Sequence, residues 1–459
     1  MKNKKLLKTL LLILMVVVAF TWVIPSTTIN QTSQQLELGT TMPEGLLGVF
    51  GSYDIISSYF FQNILIVLFV GMFYGVMNKT GAYKDLVKNV ASSFKKKKEV
   101  LLILSIVFFI LMPALTNIYF LMFLFVPFFM SVLKELGYNK NIMLLSTVGS
   151  ILIGLSTQIA SKTFAGVTGS IDNPYIWIKV GLLVLSVITT VVYALIVSSG
   201  KEENKEDSML ELESKVEKKK GKTNVVNPNK LNVILIVMFV FFLLGFIPWE
   251  YKFLQTIHTS VMGVEIFNYP IFAKLFGNFQ PFGSWWSSEF YTMLTFFAVL
   301  ITFIYKLSFD DFVDGVVEGL KKFFVPAFLV GLMTLITIFT LNSGYLGTIL
   351  KFIVSSGNAA LVALGTIVGA PLVADNAYIA NYSVPIIIQA IAKPNAEQIA
   401  FITQITYGAT MLLVPTSAIM VAGLAYLEKD YKSWFKYIWK LALILLILVF
   451  IAVIISTLI

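Results

Sequence analysis

A small set of polar side chains sits inside stretches of this chain that are otherwise apolar. Thr116 and Asn117, then Ser156-Thr157-Gln158 and Lys162, occur in the first half; Asp375-Asn376 and Thr416-Ser417 occur in the second. Hydroxyls, amides and freed backbone groups can replace the hydration shell of a small solute without the cost of a full charge, so these residue types suit reversible binding of a substrate or ion. Asp375 is the sharper case, because an ionised side chain at a bilayer centre costs about 2.5–3.5 kcal/mol on insertion scales. It is a candidate to bind a coupling cation, Na+ or H+, or to pair with a cationic substrate. Lys162 would pair with Asp375 in the empty site, neutralise an anionic substrate, or extend its ammonium towards an interface.

Covalent chemistry has little to stand on. There is no Cys, which excludes disulfides and thiolate metal sites, and His258 is the single His. No plausible nucleophile has a general base beside it, and no Gly-x-x-x-x-Gly-Lys-Ser/Thr phosphate loop is present. The expectation is no enzyme, no catalytic residue, no metal site and no cofactor beyond a coupling ion. Asp310, Asp311, Asp314 and Glu318 have helical carboxylate spacing and read as a solvated interfacial face.

The polar residues share a punctuation that occurs twice. Pro113 and Pro127 recur as Pro371 and Pro385 at the same spacing, with Asn117 falling on Asp375. Each pair is followed by an apolar run interrupted by small polar residues, Ser156-Thr157-Gln158 or Pro415-Thr416-Ser417. Paired broken hydrophobic segments in matching halves point to the substrate site of a secondary transporter. The two arms of each hairpin, about 100–112 with 118–133 and about 358–373 with 376–391, are short for a full crossing and read as re-entrant. Two ordinary spans are the alternative.

Composition agrees. The chain of 459 residues is 57% hydrophobic and only 13% charged, with mean hydropathy +0.84, where a soluble fold carries about a quarter charged residues. Several runs reach the roughly 20 apolar residues that span a bilayer. The net charge of +9 comes from Lys alone, since no Arg occurs, and it concentrates in loops as the positive-inside rule requires. That distribution argues for the lipid bilayer and against nucleic acid as partner. It places the N-terminus and the Lys/Glu-rich segment 199–230 in the cytoplasm, with the run after Met1-Lys2-Asn3-Lys4-Lys5 kept as a first helix. The organisation read from this is a first half, 1–198, with repeat 1 over about 60–169; a charged linker, 199–230; and a second half, 231–459, with repeat 2 over about 323–426. Lys positions give the repeats opposite orientations. The fold class is an all-α polytopic membrane protein with two inverted-topology repeats, each with a re-entrant helical hairpin and a broken transmembrane helix.

Phe20-Thr21-Trp22-Val23-Ile24-Pro25, Asn78-Lys79-Thr80-Gly81-Ala82, Leu136-Gly137-Tyr138 and the run from Gln404 through Leu413-Val414-Pro415-Thr416-Ser417 to Tyr431-Lys432-Ser433-Trp434 resemble the anaerobic C4-dicarboxylate carrier family, especially its YfcC branch. The resemblance implies the ion transporter superfamily of secondary carriers, homodimers that move substrate by an elevator-like motion, with dicarboxylates or amino acids as substrates. The chain departs from the family pattern at Val373-Ala374-Asp375-Asn376, Ile159-Ala160 and Thr406-Tyr407-Gly408. The expected function is an ion-coupled symporter or exchanger of a small polar metabolite, an amino acid or a carboxylate. A passive channel, or a membrane assembly protein that transports nothing, would use the same broken helices.

Overall fold

A computed structural model describes residues 3–30, 35–45, 61–116, 118–159, 161–169, 174–198, 227–247, 252–277 and 279–459. Most of the expected linker, 199–226, therefore lies outside the described residues, as do Asn117 and Ala160. The chain is helical apart from two antiparallel hairpins, Thr27–Ile29 (β1) with Leu36–Leu38 (β2) and Glu265–Ile266 (β3) with Tyr269–Pro270 (β4). Eight of the described helices are long and apolar enough to cross a membrane. This is a multi-pass membrane protein.

The helices, in chain order, are α1 (Lys4–Val23), α2 (Phe61–Lys79), α3 (Ala82–Phe94), α4 (Lys98–Leu115), α5 (Val126–Glu135), α6 (Lys140–Ser156) and α7 (Lys162–Thr168). Then come α8 (Ile176–Ser198), α9 (Pro228–Phe246), α10 (Lys252–Met262), α11 (Ile271–Phe276), α12 (Ser287–Tyr305) and α13 (Phe309–Asn342). Next are α14 (Tyr345–Val354), α15 (Ala359–Gly369) and α16, built from Asn376–Tyr378 and Val384–Ala390 around the π-turn Ile379–Ser383. The series ends with α17 (Ala396–Met411), α18 (Ala418–Tyr426) and α19 (Tyr431–Ser456). One boundary corrects the sequence reading: the amphipathic stretch from Ser308 to Lys322 and the span after it are a single helix of 34 residues, continuous through Pro326.

The order of elements around α4–α7 recurs around α15–α18. A glycine with positive φ, Gly81 at 71° or Gly344 at 66°, turns the chain into a short amphipathic helix. A hairpin follows whose second arm carries proline in its first turn, Pro127 in α5 and Pro385 in α16. There the missing N–H is one that no helical partner would have satisfied. A broken helix closes each copy: α6 and α7 flank residues 157–161, and α17 and α18 flank residues 412–417.

Two compact units emerge, each drawing on both halves of the sequence. The larger holds residues 1–65, 91–210 and 324–459; the smaller holds 66–90 and 211–323. Two helices measure the larger unit. At about 1.5 Å per residue, α1 of 20 residues and α19 of 26 residues run from one of its ends to the other. At the first end Asn3 Nδ2 donates to Ala425 O at 3.1 Å, and Gly423 packs on Leu144 and Val148 at the start of α6. At the opposite end Thr27 N–H donates to Gly344 O at 3.1 Å, and Gln398 Nε2 donates to Ser456 O at 2.8 Å. The first hairpin opens toward α6's start, where the Lys98 ammonium lies 5.6 Å from the Tyr138 ring centre. The second opens beside α17's start, where Gly357 meets Ile391.

The smaller unit is held by a glycine crossing. Gly71 and Gly75 of α2 face Gly315 and Gly319 of α13; a Cβ on Gly75 would lie 2.1 Å from Gly315 O, and one on Gly319 would lie 2.1 Å from Gly71 O. Such backbone contact is how membrane helices gain dispersion energy when lipid tails are as apolar as their own side chains. Lys79 and Glu318 close one end of the crossing with an ion pair at 2.8 Å, so one carboxylate of the expected solvated face is paired. Trp285, which as a Trp pair with Trp286 before an apolar span suits an interfacial aromatic belt by sequence, is placed elsewhere. It is 6% exposed, packs on Gly245 among Phe246, Phe279 and Phe282, and donates to Gln280 O at 2.9 Å. Trp286 is 59% exposed. A buried indole with its N–H satisfied is core, whatever its neighbour does.

Gly75→Leu should therefore lower the thermal unfolding temperature of the purified protein by an amount matching at least the roughly 1–3 kcal/mol of an overpacked core. Gly181→Ala, whose Cβ meets nothing within 4 Å, should leave that temperature unchanged. Equal effects would show that the crossing is not tight.

Candidate functional site

The first tip forms because α4 ends at Thr116, whose backbone is extended at φ −140°, ψ 169°. The Thr116 hydroxyl turns back onto Met112 O at 2.5 Å. At the adjacent break in α6 the Gln158 N–H keeps only a 3.4 Å bond to Leu155 O, and two bonds tie the break to the tip. Gln158 Nε2 donates to Thr116 O at 2.5 Å, and Ile159 N–H donates to Ala114 O at 2.8 Å. Gln404 of α17 then donates its Nε2 to Gln158 O at 2.7 Å and accepts the Lys179 ammonium on Oε1 at 2.7 Å. A single chain of bonds runs Lys179–Gln404–Gln158–Thr116, all of it buried.

The second tip is built the same way from the other hairpin. After Ala370–Leu372 the backbone becomes extended at Val373, and Asp375 caps α16, its Oδ1 accepting the Ala377 N–H at 2.8 Å. Its other oxygen, Oδ2, accepts the Tyr119 hydroxyl at 2.5 Å. This bond joins the two hairpins, since Tyr119 lies just past the first tip. Tyr407 of α17 donates to Val373 O at 2.9 Å, and Ala374 N–H donates to Thr337 Oγ1 of α13 at 2.8 Å. Gln404 and Tyr407 are neighbours across one turn of α17, so this one helix holds both tips. It comes close to α6 because position 408 is glycine: a Cβ there would lie 2.4 Å from Ser156 N.

These contacts sort the residues that the sequence singled out. The Ser156 hydroxyl donates to Ile405 O at 2.6 Å, and that of Thr157 returns to its own helix at Ile153 O and Gly154 O. With Thr116, they are committed to backbone. Gln158 and Asp375 take part in the bonds that hold the tips. Asn376 Oδ1 and Thr416 Oγ1 are buried, with no hydrogen-bond partner among the described residues, as is Thr406 Oγ1 beside Tyr407. Buried polar atoms of this kind are rare in folded proteins and mark places where a ligand or water completes the set. Ser417 caps α18 by its backbone alone. Asn117 and the side chain of Lys162, with its expected pairing to Asp375, lie outside the described residues.

The sequence reading missed Lys179, Gln404, Tyr119, Tyr407 and Thr337. Lys179 left a signal, an ammonium within the apolar run Ile176-Trp177-Ile178-Lys179-Val180, and it is 4% exposed. Gln404 and Tyr407 stood only within the stretch compared with the family, with no role of their own, because an amide and a phenol in an apolar helix are ordinary packing residues until their partners are known.

Two broken helices and two hairpin tips held by α17, with buried amides, a carboxylate and the unpartnered hydroxyls of Thr406 and Thr416, make a site of the kind secondary carriers use to hold a solute within the membrane. The chain is a secondary transporter. It belongs to the DcuC family of C4-dicarboxylate anaerobic carriers, whose family model matches residues 4–458. No curated protein matches it. Among solved structures it is similar to the YdaH transporter of Alcanivorax borkumensis, described as having an unusual topology, with 13% identity over 98% of each chain and a TM-score of 0.41.

The Gln404 amide answers to two partners, one of them charged. Gln404→Leu should destabilise the protein by about 2–3 kcal/mol, the range for hydrogen bonds to charged groups lost in a buried place. Thr157→Val, which removes only a local bond, should cost less than about 1 kcal/mol. Thermal unfolding of the two purified variants side by side checks this ordering.

Proposed function

We propose that this carrier moves a C4-dicarboxylate or a closely related carboxylate, bound where the two tips meet at Tyr119 and Asp375. The observation that carries the reading is the Tyr119–Asp375 bond at 2.5 Å, with the unpartnered atoms of Asn376, just past the second tip, and of Thr416, within the second break. Thr416 offers a hydroxyl donor to an anion, and the N-termini of α16 and α18 present positive dipole ends and free N–H groups. A dicarboxylate beside an ionised Asp375 would meet like-charge repulsion. Asp375 is therefore the coupling group: it takes up a proton as the substrate binds, or a Na+ neutralises it.

The contacts at the two ends of the larger unit support opposite orientations for the two repeats. The first hairpin opens toward the end holding Asn3, and the second toward the end holding Ser456. Opposed hairpins around one fixed site are what alternating access needs. The Lys distribution supports placing the Asn3 end in the cytoplasm, with the linker on the same side. Re-entry of both hairpins, an elevator-like motion and a homodimer are what the family resemblance implies for the working assembly.

Uptake of radiolabelled succinate into liposomes holding the purified protein tests the reading. Saturable uptake accelerated by preloaded succinate is expected, with fumarate competing and neutral amino acids not competing. Asp375→Asn should reduce uptake by at least about tenfold, the size of effect when a group essential to the transport cycle is lost, and Tyr119→Phe by a smaller factor. Ohmic current without counterflow, or unchanged uptake in Asp375→Asn, would overturn it.

A further inference from the structure

Three carbonyls at the first break and its tip are engaged before any ligand arrives. Ala114 O accepts from Ile159 N–H at 2.8 Å, Thr116 O from Gln158 Nε2 at 2.5 Å, and Gln158 O from Gln404 Nε2 at 2.7 Å. The last acceptor of the series, Gln404 Oε1, takes the Lys179 ammonium at 2.7 Å. In carriers built on broken helices, unwound carbonyls of this kind coordinate the coupling cation. Here those of Ala114, Thr116 and Gln158 each receive an N–H, and the amide that reaches Gln158 O holds a positive charge at its other end.

That charge is a resident of the site. Lys179, in the first turn of α8, is 4% exposed, and no acidic side chain among the described residues pairs with it. Its hydrogen bond to Gln404 polarises that amide, whose Nε2 meets the backbone carbonyl of Gln158, and the Gln158 side chain separately donates to Thr116 O at the first tip. The Gln404 amide accepts the ammonium on Oε1 and donates through Nε2, so its dipole aligns with the charge at its head. A metal ion at these oxygens would need the amides to turn and would sit close to a like charge.

We propose that Lys179 takes the place of a coupling metal cation at the first break, so that this break binds no Na+ in the transport cycle. Coupling is then left to the second tip, where Asp375 lies. The proposal deepens the carrier reading above and rests on it only for the uptake measurement described last.

The test is thermal unfolding of the purified full-length protein, without substrate, in NaCl and in KCl at equal ionic strength. Wild type and Asp375→Asn are measured together, so that binding at the second tip is told apart from binding at the first break. No Na+-specific shift in Asp375→Asn is the expected result, whether or not wild type shows one. Lys179→Ala, which frees Gln404 Oε1 and opens a space lined by carbonyls, should gain a Na+-specific rise of about 3 °C or more, as linkage requires when a cation binds only the folded state. A Na+-specific shift that survives Asp375→Asn would overturn the proposal, and so would a folded Lys179→Ala protein indifferent to Na+. If Lys179→Ala does not fold, the Asp375→Asn measurement decides alone. Succinate uptake by Asp375→Asn, where residual activity allows it, should be the same in Na+ and K+ within about twofold. Absence of succinate uptake by wild type in either salt would count against the substrate assignment and leave the thermal result on Lys179 standing.

Discussion

The arrangement of the larger unit depends on one amide. Gln404 sits in the middle of α17 and spends both ends of its side chain, donating to Gln158 O and accepting from Lys179. In a membrane interior such bonds have no water to compete with them, and a group left without its partner has nowhere to go. The amide thus joins α8, the break in α6 and the first hairpin tip to one helix. One turn further along, Tyr407 ties the second tip to the same helix. Take away α17 and the two tips have no common support.

Apolar packing brings these elements close enough for the amide to act. Ser156 of α6 meets α17 at Gly408, and Gly154 meets α4 so closely that a Cβ would lie 2.3 Å from Ile110 O. Glycine at these two positions lets three backbones approach, which places the break in α6 directly against the tip of α4. The smaller unit uses the same device where α2 crosses α13, with paired glycines and the Lys79–Glu318 ion pair. Close backbone contact serves rigidity there. Beside the tips it serves to bring polar groups together.

Much of the fold was legible in the sequence, for physical reasons that can be named. Pro113, Pro127, Pro371 and Pro385 mark the hairpin arms because proline lacks the N–H a helix interior needs. The breaks at Ser156-Thr157-Gln158 and Pro415-Thr416-Ser417 fall where they were expected, since small polar residues in an apolar run can satisfy the backbone groups a break releases. Where the reading differed, burial was the cause. The join of the amphipathic stretch to α13 has no signal, because Phe323 and Phe324 continue a pattern that either reading allows. Trp285 looks like an interfacial aromatic until Gly245 provides a slot for it.

The site was legible as a list of positions and illegible as a set of partners. By itself the sequence determined that polar groups stand at two matched breaks in a membrane protein, because the pattern of hydropathy and proline is local and the cost of burying a polar group is large. Only the tertiary structure decided what each does. Ser156, Thr157 and Thr116 are absorbed by backbone carbonyls, Asp375 meets Tyr119 from the other hairpin, and Lys179 reaches Gln404 across 225 residues of chain. Those assignments depend on which helices touch, and contact between distant segments is set by packing over the whole unit, which no local pattern encodes.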